Sequence, residues 1–247
     1  MSENFYKKIA PEYDRMTSFS SRIEQEIQTL QPLVQDLNIT TALDAGCGTG
    51  ITAIALARCG VNTIAIDNSR EMLDIAENNS RPQNNVTWYL DDLEKIKYNI
   101  RNLDAIFCTG NVLPHILSPA SLRKTCCEFK KCIRQNGYLF LQLLNYDRVL
   151  LHGEKLVGVN KNGNHEFIRF YEMNGKYLFF NILHITWADN KATTEWNTTQ
   201  LYPYTKTELE QILNSAGFKI DGIYADFKFS QWQKTSKDLV IIARPSD

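Results

Sequence analysis

Leu43-Asp44-Ala45-Gly46-Cys47-Gly48-Thr49-Gly50 follows the apolar start of a strand at Thr41-Ala42 and leads into a helical pattern over Thr49 to Cys59, closed by Gly60. Glycines at such a junction let the backbone turn sharply. They also let a ligand approach the helix N-terminus, whose free N–H groups favour a carboxylate or a phosphate. Tight turns collect glycines as well, so the loop alone does not separate a plain turn from a ligand cradle. Its neighbours along the chain make the distinction.

Downstream, Thr63-Ile64-Ala65-Ile66-Asp67 reads as a second strand and Ser69 as the cap of a helix through about Asn78. Val86 to Leu90 is a third strand and Leu103 to Cys108 a fourth. Ser118-Pro119 opens a helix on which Leu122, Cys126, Phe129 and Ile133 share a face, with Asn136-Gly137 as its stop. The fifth strand, Tyr138 to Leu144, is apolar enough to be covered on both sides. This alternation predicts an α/β fold, a Rossmann-like, mostly parallel sheet with helices on both faces. Ile23, Ile27 and Leu30 line one face of an N-terminal cover helix broken near Pro32, and the Asn-rich stretch 78–85 is a loop.

Residues 148–202 interrupt the rhythm. Phe167 to Met173, Lys176 to Trp187 and Thr194 to Tyr202 read as three strands joined by Asn-Gly and Asp-Asn turns, a small inserted antiparallel flap. The core resumes with the capping box Thr205-Lys206-Thr207-Glu208, a helix ending at Gly217, and strands near Ile220 to Ala225 and Asp238 to Ala243. The expected division is 1–147 for the cover helix and first part of the core, 148–202 for the flap, and 203–247 for the rest of the core.

The chain has 247 residues, with 27 Lys+Arg against 28 Asp+Glu. A domain of this size hides roughly 70–75% of the surface of its unfolded chain, so its core needs no disulfide framework or structural metal. A net charge of −1 gives no general attraction to phosphate backbones or anionic lipid, so neither nucleic acid nor a membrane is an expected partner. No apolar run approaches the ~20 residues of a membrane span, and Met1 to Lys8 lacks the apolar centre of a signal peptide. The six cysteines form no Cys-x-x-Cys pair and no zinc-type spacing with His; reduced thiols, no metal and a cytoplasmic location are expected.

Asp67 ends the strand after the glycine loop, where a carboxylate can accept both hydroxyl hydrogens of a ribose. Its other reading is a cap of the following helix, beside Ser69. Asp92-Leu93 comes just past the third strand, on the same rim, where a carboxylate can accept an adenine amino hydrogen and a backbone N–H can serve a ring nitrogen. An ordinary solvated turn is the alternative there. Dinucleotide sites want Gly-x-Gly-x-x-Gly, whereas Ile51 stands three after Gly48 and the third glycine comes early, at Gly50. That departure, with the acidic start at Asp44, favours a nucleoside cofactor without pyrophosphate, S-adenosylmethionine.

With Asp44 to Gly50, Asp67 and Asp92-Leu93 at three cofactor motifs, the chain resembles the class I S-adenosylmethionine-dependent methyltransferases. The resemblance covers nearly the whole chain and implies a seven-stranded sheet with its last strand antiparallel. It implies ribose on Asp67 and adenine among Asn68, Met72 and Leu93, with Asp44, Gly46, Gly48, Gly50, Asp92 and Gly110 completing the cofactor set. Arg22 matches an Arg that pairs with the methionine carboxylate; a solvated helix-end charge is the other reading. Tyr6 and Tyr13 resemble a segment that closes over the cofactor, with Tyr13 the expected contact.

Gly110-Asn111, Pro114 and His115 are similar to a loop of the glycine and sarcosine N-methyltransferases, a small-molecule branch, as are Asn145-Tyr146-Asp147 and Leu201-Tyr202-Pro203. By this likeness Asn111 orients the acceptor, His115 lines the pocket, and Asn145, Tyr146 and Tyr202 contact substrate; by itself, His115 also reads as a structural histidine. Glycine-methylating relatives carry an Arg just before the Asn-Tyr-Asp, where this chain has Leu144, and an aliphatic side chain cannot replace that carboxylate fork. Arg169 in the flap is a cation from another direction or an exposed flap residue. An amine acceptor is the first expectation. Oxygen, sulfur or carbon methylation is the second, and a non-catalytic S-adenosylmethionine-binding module or scaffold subunit the third.

Overall fold

In the computed structural model residues 2–81, 85–189 and 191–246 are described, with side chains from Phe5 onward. Residues 82–84 of the expected Asn-rich loop and Asn190 of the expected Asp-Asn turn lie outside them. The strands are β1 (Thr41–Ala45), β2 (Asn62–Asp67), β3 (Val86–Leu90), β4 (Leu103–Cys108), β5 (Ile133–Leu144), β6 (Leu156–Asn162), β7 (His165–Asn174), β8 (Tyr177–Ala188), β9 (Lys191–Leu201), β10 (Phe218–Tyr224) and β11 (Asp238–Pro245). The helices are α1 (Ser2–Thr17), α2 (Phe19–Asp36), α3 (Ile51–Arg58), α4 (Arg70–Ser80), α5 (Pro119–Cys132), α6 (Tyr146–His152) and α7 (Lys206–Ser215).

Side chains along β5 alternate between two cores, as strand geometry requires. Leu139, Leu141 and Leu143 pack with Leu122 and Phe129 of α5 and Leu213 of α7, while Phe140 packs with Phe107 and with Leu30 and Ile54 of α2 and α3. The sheet has the order β10-β11-β5-β4-β1-β2-β3; β1 to β5 run parallel, and β11 lies antiparallel between β5 and β10. The carboxyl ends of the parallel strands therefore share one rim. A second sheet, β6-β7-β8-β9, is antiparallel throughout.

Four expectations need correction. The flap has four strands, not three, because Leu156–Asn162 pairs with β7 despite its glycine and polar residues. Helix α5 ends at Cys132, since Ile133 enters the sheet as the partner of Leu103, so Asn136-Gly137 lies within β5. Pro32 does not break α2, whose Leu30, Leu33 and Val34 are buried on either side of it. Asn78 and Asn79 belong to α4 rather than to a loop. The chain before Ser18 forms α1, continuous through Pro11 and joined to α2 by Ser18 at φ 57°.

Gly50 caps α3 at φ +92°, and a Cβ there would lie 2.8 Å from Trp88 Cη2 and 3.1 Å from Ala76 Cβ. Gly50→Ala combines an unfavourable backbone conformation with overpacking, and is expected to lower stability by about 2 kcal/mol or more in urea melts.

Candidate functional site

The rim of β1 to β4 opens onto a cavity of about 1540 Å³. It lies where the chain departs from β1 in opposite directions, toward β2 on one side and β4 on the other, the usual ligand crevice of an open α/β sheet. One small-ligand site occupies about 300–1,000 Å³, so there is room for two reactants side by side.

Gly46 and Cys47 donate their N–H groups to Ile66 O at 2.8 and 2.9 Å, which pins the glycine loop to β2. Gly46 has φ +78°, and a Cβ there would meet Val112 Cγ1 at 2.5 Å, so the loop after β4 closes directly on glycine backbone. The Gly48 N–H donates to Asp67 Oδ2 at 2.8 Å, and Asp67 Oδ1 accepts from the Ser69 N–H at 2.9 Å. Asp67 therefore does serve the start of α4, where Ser69 accepts from the Met72 N–H. A carboxylate has about four lone-pair sites, so these bonds leave acceptor capacity on a residue that lines the cavity. Burial raises its pKa against the pull of the N–H groups of Ser69, Gly48 and Asn68.

Asp44 is buried, and its Oδ2 accepts from the Ala53 N–H at 2.8 Å. Burial pushes its carboxyl up to about 8; the Ala53 bond opposes this, and Glu26 and Asp67 add to it. Glu26 on α2, bonded by Thr52 Oγ1, is also raised, first by burial. The loop end of the cavity is a nest of three carboxyl groups whose repulsion a bound cation would relieve.

Asn68, Met72, Asp92, Leu93 and Gly110 line the same cavity, as does Arg22 in the first turn of α2. Gly50 does not; it packs against Trp88 behind the loop. Helix α1 roofs the opening. Its Phe5, Ile9 and Met16 pack with Met72 of α4 and with Phe167 and Ile182 of the flap, while Tyr6 and Tyr13 line the cavity. Asn79 Nδ2 donates to Asp14 Oδ2 at 2.8 Å and to Thr49 O at 3.2 Å, so α4 ties the roof to the glycine loop. Burial raises the Tyr6 and Tyr13 phenols, which stay protonated.

At the far end Tyr6 Oη stands 2.7 Å from His115 Nε2, and His115 Nδ1 is enclosed without a partner. Burial lowers the His115 pKa to about 4, so the imidazole is neutral at physiological pH. Asn111, at φ 71°, lines the cavity with its amide braced: Oδ1 accepts from the Leu144 N–H at 3.1 Å, and Nδ2 donates to Tyr146 Oη at 2.9 Å. The Gly110 N–H donates to Gln142 Oε1 at 2.7 Å. Arg169 lines the cavity from β7.

Three residues expected at the substrate do not line the cavity. Asn145 Nδ2 donates to the carbonyls of Gln233, Lys234 and Ser236, clamping the loop before β11. Tyr146 is fully buried behind Asn111. Tyr202 donates to Glu208 Oε1 at 2.8 Å and packs with Tyr177 and Tyr204. Sequence reasoning missed Glu26 and Gln142. Both carried a signal: Glu26 lies one helical turn after Arg22, and Gln142 is a lone amide in the apolar run 138–144.

A methyltransferase-domain family model matches residues 42–137. The glycine/sarcosine N-methyltransferase of Halorhodospira halochloris is 25% identical over 234 residues, covering 92% of this chain and 83% of that one. A methyltransferase structure from Clostridium acetobutylicum superposes with a TM-score of 0.82 at 18% identity, over 98% of this chain and 99% of that one. Residues 42–137 carry a methyltransferase domain, and these likenesses support a class I S-adenosylmethionine-dependent methyltransferase. A S-adenosylmethionine-bound amino pentose methyltransferase from Micromonospora echinaspora has the same fold, with a TM-score of 0.69 at 14% identity over 90% of this chain and 91% of that one. S-adenosylmethionine is the cofactor of this methyltransferase, and the carboxyl nest, glycine loop and spare Asp67 capacity suit a cationic nucleoside.

The neutral His115 of the methyltransferase makes stability depend on pH. Its folded pKa near 4 lies below the ordinary 6.5, so the unfolded chain binds the extra proton and stability falls as pH drops from about 6.5 toward 4. His115→Gln is expected to remove up to about 3 kcal/mol of that loss, read as a flatter dependence of melting temperature on pH over this window.

Proposed function

We infer that this methyltransferase acts on a small-molecule acceptor and that the nucleophile is an amine nitrogen. The observation that carries the reading is a roofed cavity with room for two reactants whose far end presents a neutral, half-satisfied imidazole, His115. The name of the relative from Halorhodospira halochloris supports nitrogen as the methyl acceptor. The balanced net charge argues against a nucleic-acid substrate. Among the described residues no helix is long and apolar enough to cross a membrane, and the six cysteines are free thiols; a cytoplasmic enzyme is consistent with both.

Bound S-adenosylmethionine supplies a sulfonium methyl group for in-line displacement, chemistry that needs alignment and exclusion of water more than an acid–base triad. Asp67 would hold the ribose, Asn68, Met72, Asp92 and Leu93 the adenine, and Arg22 the methionine carboxylate. Backbone at Gly46, Gly48 and Gly110 permits close approach, while Asp44 and Glu26 face the cationic portion. Tyr13 and Tyr6 close the roof and keep water out. Asn111, braced by Tyr146 and the Leu144 N–H, orients the acceptor. His115, held by Tyr6 Oη, is a neutral wall of the acceptor end.

Labelled methyl transfer from S-adenosylmethionine to a panel of small amines tests the reading. An amine reacts only when unprotonated, so the rate should climb about tenfold per pH unit below the acceptor's own pKa. A rate flat across that range would argue against an amine acceptor. Asp67→Asn should weaken S-adenosylhomocysteine binding by about tenfold or more in calorimetry while the protein still melts cooperatively.

A further inference from the structure

Strand β7 carries Phe167, Arg169 and Tyr171 on one face, since alternate residues share a side. Phe167 packs under the roof with Met72, and Tyr171 lies with its ring 6.4 Å from that of Tyr146, which braces Asn111. Arg169 stands between them and lines the cavity. Its Nε is enclosed with no hydrogen-bond partner, and among the described residues the guanidinium makes no ion pair. Six other arginines of the chain do pair with carboxylates: Arg15, Arg58, Arg70, Arg134, Arg148 and Arg244. Burial disfavours the charge on Arg169, and Arg22 repels it further.

Space is reserved for this head group. Gly158 is the register partner of Arg169 on β6, and a Cβ at 158 would come 3.2 Å from Arg169 Nη2. An unpaired, partly desolvated guanidinium is costly unless an anion joins it, and its planar fork matches a carboxylate. The cofactor brings one carboxylate, and Arg22 serves the end of the cavity near the glycine loop, next to Glu26 and Thr52. Arg169 lies within the field of Arg22 and is two residues along β7 from Tyr171, whose ring packs toward Tyr146 behind Asn111. No cation comes from β5 at that end, where Leu144 lines the wall.

We propose that Arg169 is the anion-recognition residue of the acceptor subsite, so that the acceptor of this enzyme is an amino compound carrying a carboxylate. This rests on the small-amine reading above. The flap strand, rather than β5, then sets acceptor specificity: the guanidinium fixes the carboxylate, and the amine end is left to Asn111 and His115.

The test uses the full-length chain saturated with S-adenosylhomocysteine and a panel of small amino acids matched with their amino amides, read first by thermal shift. Amino acids should raise the melting temperature of the wild type more than their amides, and Arg169→Gln should abolish the difference while S-adenosylhomocysteine affinity stays within about twofold. Arg169→Lys, which keeps charge but loses the fork, should retain part of the preference. In methyl transfer, Arg169→Gln should raise acceptor KM by on the order of tenfold or more, with a smaller effect on kcat. Equal shifts by acids and amides, or no shift by any acid at millimolar concentration, would overturn the assignment. So would a variant that loses S-adenosylhomocysteine instead of acceptor, since Arg169 would then serve the cofactor. If acids shift the wild type through Arg169 yet no member of the panel is methylated, the amine reading fails and the anion site stands.

Discussion

One carboxylate, that of Asp67, holds two turns of this enzyme in place at once. By accepting from the Gly48 N–H and the Ser69 N–H it fixes the loop from β1 to α3 against the turn from β2 to α4. The glycines give that loop its path but no side-chain anchor of its own. Without Asp67, the loop would keep the bonds of Gly46 and Cys47 to Ile66 O and that of Asn79 Nδ2 to Thr49 O. The rim of the sheet is a defined surface because an acidic group is kept there despite the cost of burial.

The same rim concentrates acidic groups. Burial raises Asp44, Glu26 and Asp67 at one end of the cavity, with Glu26 and Asp67 adding to the shift of Asp44, while the neutral His115 lines the far end and Arg169 lines the wall between. A cationic cofactor and an anionic acceptor would each find the complementary field. Helix α1 makes that polarity effective by covering the opening, since electrostatic interactions strengthen as water is excluded. Its attachment is distributed over the apolar contacts of Phe5, Ile9 and Met16, the Asn79–Asp14 bond, and the Asn160 Nδ2 bond to Met16 O.

Much of the central sheet was legible because its signals are local. Val86–Leu90 and Leu103–Cys108 stand with the bounds their apolar runs suggested, and Ser69 and Thr205 cap α4 and α7 through their own side chains. Legibility failed where tertiary pairing overrode local pattern. Strand β6 exists because β7 offers it a partner, and Ile133 leaves a good helical face because β4 claims it. Glycine and aspartate spacing marked out residues that do share one rim of the cavity, apart from Gly50. Residues at the acceptor end were harder, because a motif fixes residue type but not direction: Asn145, Tyr146 and Tyr202 all turn into the protein rather than the cavity. The roof was half legible, since Tyr13 was anticipated while the Tyr6–His115 contact spans 109 positions.

The central claim is that the rim joined by Asp67, under α1, is where the adenosyl cofactor sits. Hydrogen–deuterium exchange of the full-length chain with and without S-adenosylhomocysteine tests it most directly. Slower exchange is expected at residues 46–53, 67–72 and 91–94 and across α1, with the second sheet less affected. Exchange unchanged at saturating ligand, or protection confined to another part of the molecule, would contradict it.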